Sequence, residues 1–422
     1  MVGFGSAHEA LIWARLTAAA GGGEVRVRYW PEGRAGEARE DGPLPLGGRD
    51  GRTLRHTLSG LEPDATYEYE LVVDGARAAR PYPQRFKTLP RWHRRAPPPD
   101  LVAAFGSCSY LNQYPDDTYG GGEEVFEAIR AQSPDLMLWL GDAVYLNPED
   151  TESAQGIARR YSSYRAHPAL QPLLASTHHY AIWDDHDYGP NDANWSYPLK
   201  GESLATFKEY WGNASFGLPE LPGVFGVFSW GDVDFFLLDN RTYRTSGAAP
   251  PAQSRYLGDR QLEWLLDALS ASRATFKVIA SGSQVVSPYA RFESYAQHPR
   301  ERARLLEGLK ERAVEGVLFL SGDRHHAELN VLRDDPHFYP LYDFTSSPLT
   351  SSLADSADSE RVNARRVDGT FVTGERNFGV LRVRGPRKER VMTLEARNTR
   401  GALLWSHEVR AADLRVPTRS AP

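Results

Sequence analysis

S-G-D-R-H-H-A-E-L-N occupies residues 321–330 and follows directly on the apolar run Val317-Leu318-Phe319-Leu320. A chain that finishes a buried strand with an aspartate, an arginine and two adjacent histidines must compensate for their desolvation. Hydrogen bonds, an ion pair or a metal would do so. The other strand ends decide among them.

Further apolar runs stand at 101–105 (LVAAF), 136–140 (LMLWL), 180–183 (YAIW), 233–239 (VDFFLLD) and 276–280 (FKVIA). Helical candidates lie between them at 123–132, 260–272 and 300–313. The last two carry apolar residues at three- and four-residue spacing with charges elsewhere, as an amphipathic surface helix does. Strands apolar on both faces need covering layers, so this part of the chain reads as an α/β sandwich.

Five of the runs end in chemistry. LVAAF leads into Gly106-Ser107-Cys108, and LMLWL into Gly141-Asp142-Ala143-Val144-Tyr145. YAIW leads into Asp184-Asp185-His186-Asp187-Tyr188-Gly189-Pro190-Asn191-Asp192, FKVIA into Ser281-Gly282-Ser283-Gln284, and VLFL into Ser321-Gly322-Asp323-Arg324-His325-His326. Ligands of open α/β sheets sit outside the carboxyl ends of the strands. Taken singly, each motif has a bland explanation: a Gly-Asp turn, a packed tyrosine, a helix cap by Asp184-Asp185. Together they bring more carboxylates to one edge than can be buried without cations, which points to a shared metal site.

Residues 1–90 differ. ALIWARL, EVRVRYW, TLRHTL and YEYELVV are alternating or β-rich runs with Gly-rich breaks, the pattern of a small all-β sandwich. SGLEPDATYEYELVVDG resembles the fibronectin type III signature, whose tyrosine corner would here use Leu61, Pro63, Thr66 and Tyr67. A proline-rich linker is expected over 91–100, a catalytic domain over 101–411, and a tail over 412–422. Within these, 351–370 reads as a polar loop, and VMTLEARNTRGALLWSHEV as a hairpin turning at Arg400-Gly401.

Composition excludes some classes. With 49 Lys+Arg against 55 Asp+Glu, the net charge of −6 over 422 residues argues against a nucleic-acid or anionic-membrane binder. The basic cluster Arg91-Trp92-His93-Arg94-Arg95 reads as a solvated face of the linker. No apolar stretch approaches the roughly 18 residues of a membrane span, and the first residues lack the layout of a signal peptide. Cys108, the single cysteine, cannot form an intrachain disulfide.

The ordered set G-S-C, G-D-x-x-Y, W-D-D-H-D, a strand ending in Gln, and G-D-x-H resembles the PhoD-like alkaline phosphatases, within the calcineurin-like metallophosphoesterases and related to the purple acid phosphatases. The resemblance spans roughly residues 100–410. It implies an αββα sandwich whose loops hold a bimetallic centre, and a periplasmic or extracellular location. Asp142 would bridge the metals. Cys108, Asp142, Tyr145 and His325 match the ligands of a ferric site; Asp185 and Asp323, joined by Asn191, would hold the second metal with Asp142. His186 matches an acid near the leaving group. Thiolate, phenolate and carboxylate suit Fe3+, and the oxygen-only set suits Ca2+, with Mn2+, Zn2+ and Mg2+ as alternatives.

The expected activity is hydrolysis of phosphate esters, with two cations about 3.5–4 Å apart clamping the phosphate and acidifying a water. Arg241 and Arg324 are candidates for the phosphate oxygens, although a strand-end salt bridge would explain each equally. Alternatives are a phosphodiesterase or phospholipase D-like enzyme, a phosphotriesterase, and a non-catalytic polymer-binding protein with structural metals. Aromatic residues of 188–243 (Trp195, Tyr197, Tyr210, Trp211, Phe225, Phe228, Trp230) could wall an apolar leaving-group pocket, or form the core of that segment.

Overall fold

The structure, a computed structural model, describes all residues except 17–22, 93–95, 113, 115–117, 355–357 and 418–422. Its centre is two sheets, of nine and six strands. In the larger, Leu101–Gly106, Leu136–Leu140 and His178–Ile182 run parallel, and the antiparallel strands Asn377–Arg384, Val391–Asn398 and Leu403–Arg410 extend one side. In the smaller, Val233–Leu237, Phe276–Ser281, Val317–Ser321 and Leu341–Thr345 are parallel, edged by the antiparallel Gly226–Trp230 and Glu328–Leu332.

Strand alternation explains the layering. Leu136, Leu138 and Leu140 pack into one core with Val278, Leu320 and Phe344 of the other sheet. Phe105 meets Phe344 edge to face across that seam, ring centroids 4.8 Å apart. Met137 and Trp139 point the opposite way, into a second core with Val125, Phe126 and Ile129 of the helix Val125–Ala131. The two amphipathic segments form the helices Asp259–Ala271 and Pro299–Glu311, which bury Leu262, Leu265, Leu305 and Leu309 in the core they share with the smaller sheet. Helix, sheet, sheet, helix is the resulting order.

The sheets do not respect the expected boundary near residue 90. Val2–Gly5 pairs in parallel with His178–Ile182, with Val2 opposite His178, and Ala10–Arg15 and Thr53–Leu58 continue the same nine-stranded sheet. The physical reason is edge protection, since these strands satisfy backbone groups that His178–Ile182 would otherwise leave open. A separate five-stranded sheet, with Val25–Pro31 and Thr66–Val73 at its centre, closes over them around Val2, Ile12, Val27, Tyr29, Tyr67 and Phe86. The expected tyrosine corner is formed: Tyr67 Oη accepts the Glu62 N–H at 2.9 Å, and its ring stacks on Phe86. Residues 93–95 of the basic cluster lie outside the described residues. Arg91 Nε donates to His8 Nε2 at 3.0 Å, tying the start of this stretch to the N-terminal strands.

Candidate metal centre

The parallel strands end in register, Trp139 opposite Gly106 and Leu140 opposite Ile182, so the residues that follow them reach one edge. Backbone bonds fasten the loops: Ser109 N–H donates to Asp142 O at 2.8 Å, and Asp323 N–H donates to Ser107 Oγ at 3.2 Å across the two sheets. Cys108, Asp142, Asp323 and His325 all adopt left-handed backbone, with φ of 58°, 50°, 68° and 52°. That region costs a non-glycine residue about 1–2 kcal/mol, and such strain collects at functional sites. Here it turns each side chain back over the strand end.

The donors are close, and most of them are buried. Cys108 Sγ lies 3.6 Å from Asp142 Oδ2. Ligand atoms of Asp142, Asp185 and His186 lie within 4.8 Å of one another, as do those of Asp142, Asp184 and Asp323, and those of Asp184, Asp185 and Glu293. Asp184 Oδ2 and Asp323 Oδ2 are enclosed and accept no hydrogen bond. Burial, then the charges of Asp185, Asp184, Asp187 and Asp323, push the Asp142 carboxyl well above the carboxylate range. Burial pushes Asp323 up as well, with Arg324 opposing and Asp184, Glu293 and Asp185 adding to it. Burial raises the Cys108 thiol, with Asp142 and Asp323 adding to it, and the Tyr145 phenol, with Cys108 and Asp142 adding. His325 is lowered to about 4, by burial first and then by His186 and Arg324, which leaves the neutral imidazole that a metal requires. The orphaned oxygens and the donor set therefore fit cations: these groups ionise together in this enclosure only if positive charge joins them.

The family model described as PhoD-like phosphatase matches residues 103–389. The chain belongs to the PhoD-like phosphatase family. It is similar to alkaline phosphatase D of Bacillus subtilis (strain 168), 27% identical over 326 residues, which are 65% of this chain and 54% of that protein. The match thus spans about half the length of that relative. In fold it resembles a solved structure of PhoD, with a TM-score of 0.75 at 20% identity over 97% of this chain and 88% of the other. It also resembles the purple acid phosphatase PPD1 from yellow lupin (Lupinus luteus) seeds, with a TM-score of 0.67 at 14% identity over 97% of this chain and 73% of that one. The αββα metallophosphoesterase fold is therefore the fold of this PhoD-like chain.

Asp142, Asp185, His186, Asn191, Asp323, Arg324 and His325 line one cleft of about 480 Å³ in this PhoD-like protein. Cys108 and Tyr145 are buried beside Asp142, and the Tyr145 ring stacks on His186 with centroids 4.2 Å apart. Asn191 stands on the exposed rim; the neighbouring Asp192 N–H, at 2.8 Å, is what reaches Asp185 Oδ2.

Arg241 corrects the expected phosphate contact. It is 0% exposed, and Asp184, Ala193 O and Glu293 take up its guanidinium donors. With no N–H turned to the cleft, it balances the carboxylates from behind. The aromatic residues expected from 188–243 do not wall the cleft. Tyr197, Tyr210, Trp211, Phe225 and Trp230 are buried, Phe228 stacks on Tyr180, Trp195 is 54% exposed elsewhere, and none lines the cleft.

Sequence reasoning missed Asp184, Asn240 and Glu293. Asp184 Oδ1 accepts from Asn240 Nδ2 at 2.8 Å and from Arg241 Nε at 2.5 Å, while Oδ2 accepts no hydrogen bond and the carboxylate lies in one cluster with Asp142 and Asp323. The signal for Asp184 and Asn240 was present, in the Asp184-Asp185 doublet and in Asp239-Asn240-Arg241 after its strand. Glu293 follows no strand and carried none.

Proposed function

We propose that this chain hydrolyses phosphate esters at a centre of two or more cations. The observation that carries the proposal is the overlap of three ligand clusters, sharing Asp142, Asp184 and Asp185, beside a buried thiol and phenol and the half-buried His325 imidazole. Cys108, Asp142, Tyr145 and His325 would hold one cation, for which the combined negative charge of thiolate, phenolate and carboxylate favours Fe3+. Asp142, Asp185 and Asp323 would hold the other, with Asp184 as a nearer oxygen donor than the rim residue Asn191; Ca2+ suits that set, with Mn2+, Zn2+ or Mg2+ as alternatives. When bound, such a pair neutralises phosphoryl charge and activates water for in-line attack.

The chain's own residues orient the reaction. Asp142 is placed to serve both halves, since Oδ2 faces Cys108 while Oδ1 accepts the His186 N–H at 3.2 Å. The half-buried His186 ring, packed on Tyr145, opens onto the cleft where it can hand a proton to the departing ester oxygen. Its ring also lies within ligand reach of Asp142 and Asp185, which favours a second reading as a metal ligand. Metal content separates the two. His186→Gln is expected to lower kcat on an alkyl ester by about 10²-fold or more, to affect a nitrophenyl ester far less, and to keep the bound metal. Loss of metal together with equal losses on both esters would make His186 a ligand.

Arg324 is the cleft's guanidinium. Glu360 accepts two bonds from Nη2, at 2.7 and 2.9 Å, while Nε has no partner and the group lies 4.5 Å from the Phe292 ring centroid. It is oriented to take a phosphoryl oxygen. Arg324→Ala is expected to lower kcat/KM by about 10- to 100-fold, the equivalent of one charge-assisted hydrogen bond, and to lower Tm as well, since Glu360 is left buried without its partner; an unchanged kcat/KM in the folded variant would remove it from the substrate site.

The test of the whole reading is turnover of paired aryl monoester and diester substrates before chelation, after it, and after metal return. Activity on either ester that chelator abolishes and metal restores is expected, and the ratio of the two rates assigns the ester class. Neither ester turned over by metal-replete protein would leave the polymer-binding alternative.

A further inference from the structure

A second cavity, of about 410 Å³, lies between the N-terminal five-stranded sheet and the helix Ala154–Ala166, apart from the strand ends. Its charge is unbalanced. Arg15, Arg52, Arg80 and Arg165 line it, and no aspartate or glutamate does among the described residues, although the chain as a whole carries a net −6. Its size falls within the ~300–1,000 Å³ of small-molecule sites.

Arg165 is the unusual member. It is 6% exposed, donates from Nη2 to Tyr210 O at 3.1 Å, and lies 4.0 Å from the Trp211 ring centroid. Its Nε has no hydrogen-bond partner, and no carboxylate pairs with it among the described residues. A buried cation without a counter-ion is costly, and a guanidinium presents a fork that matches an oxyanion. Arg15, by contrast, is spent on Asp50 and on Ser162 Oγ. Arg52 and Arg80 stand exposed at the mouth.

The walls are apolar, with Trp13, Tyr69, Leu71 and Leu174 among them. Their polar tips are already used: Tyr69 Oη donates to Ala175 O at 3.3 Å, and Tyr82 Oη donates to Gln171 Oε1 at 2.7 Å. These bonds join the N-terminal sheet to the helical layer and hold the space open, so a ligand would meet a preorganised site. What remains unmet is one buried guanidinium in an apolar chamber with a cationic mouth.

We propose that this cavity binds a small amphipathic anion, an acid group on an apolar body, with the acid on Arg165 and the body between Trp13, Tyr69 and Leu174. Arg52 and Arg80 would draw anions to the mouth. The proposal is independent of the phosphoesterase reading, because no residue is common to the two sites.

Calorimetric titration of the full chain tests it, using decanoate, decanol and decyltrimethylammonium as probes. One saturable decanoate site per chain is expected, with decanol at least about tenfold weaker, the equivalent of one charge-assisted contact, and no binding of the cation. Arg165→Met, which keeps the apolar stem, should erase the preference for acid over alcohol. Should that variant fail to fold, Arg80→Ser at the exposed mouth should still weaken decanoate and flatten its salt dependence. Equal binding of decanoate and decanol, no saturation below about 1 mM, or an unaltered preference in a folded Arg165→Met would overturn the proposal. Retention of the chain on phosphatidylglycerol vesicles, lost in Arg165→Met, would likewise overturn the assignment to a free acid in solution.

Discussion

Asp142→Asn is expected to lower kcat/KM on an aryl phosphate by at least about 10³-fold and to empty the centre of more than one cation. The size follows from position. Asp142 turns one oxygen towards Cys108 at 3.6 Å and the other to the His186 N–H at 3.2 Å, so it reaches both halves of the cluster. Asparagine keeps the shape and removes the charge. A metal clamp supplies several kcal/mol of transition-state stabilisation, and each ~1.4 kcal/mol is tenfold in rate. The same substitution should raise the Tm of chelated protein, because it deletes a carboxyl that burial and four neighbouring aspartates hold far above its ordinary pKa. A variant that is inactive yet stabilised when stripped of metal separates a functional group from a structural one. Near-wild-type turnover would rule out Asp142 as the shared ligand.

Arg241→Met should cost about 3–5 kcal/mol of stability in chelated protein, the range for breaking a buried ion pair from one side. Asp184 and Glu293 then face each other without their cation, and Asp185 loses a charge 3.6 Å away. The loss should grow with pH. Burial raises the folded Asp184 pKa to about 6 even with Arg241 opposing it, above the ~3.9 of an unfolded aspartate. A raised carboxyl binds its proton more tightly in the folded state, so stability falls as pH climbs from the unfolded value through the folded one. Without Arg241 the folded value moves higher and that fall extends further, which makes the deficit larger at pH 8 than at pH 5. Denaturant unfolding at the two pH values measures it. If Arg241 instead contacted substrate, KM would rise while the unfolding midpoint stayed put, contrary to its enclosure.

The strand ends were legible because their signal is local: a short apolar run, then a glycine or serine, then a ligating side chain. Cys108, Asp142, Asp323 and His325 follow that rule, Asp185 follows its run through Asp184 alone, and the fold brings Asp142, Asp185, Asp323 and His325 to one cleft with Cys108 beside Asp142. What failed was partnership over distance. An arginine after Asp239-Asn240 looks the same in sequence whether it meets phosphate or Glu293, 52 residues later. In the sequence Asp184 has the look of a helix cap, and its N–H does bond Asp187 Oδ2 at 3.1 Å; its acceptor role towards Asn240 and Arg241 depends on a strand 56 residues on. Likewise, no pattern in the first residues reveals that Val2 will pair with His178. Alternation tells a strand which face to bury, and leaves open which edge it joins.

The most direct test of the centre is metal content of protein purified without chelator, by mass spectrometry, on wild type and Asp142→Asn in parallel, with aryl phosphate turnover of the same samples. At least two cations per wild-type chain, a loss of more than one in the variant and a matching loss of turnover are predicted. Iron with a tyrosinate-to-metal absorption band would place that ion at Tyr145 and Cys108. Wild-type protein that hydrolyses the ester without stoichiometric metal, undiminished by chelator, would contradict the account.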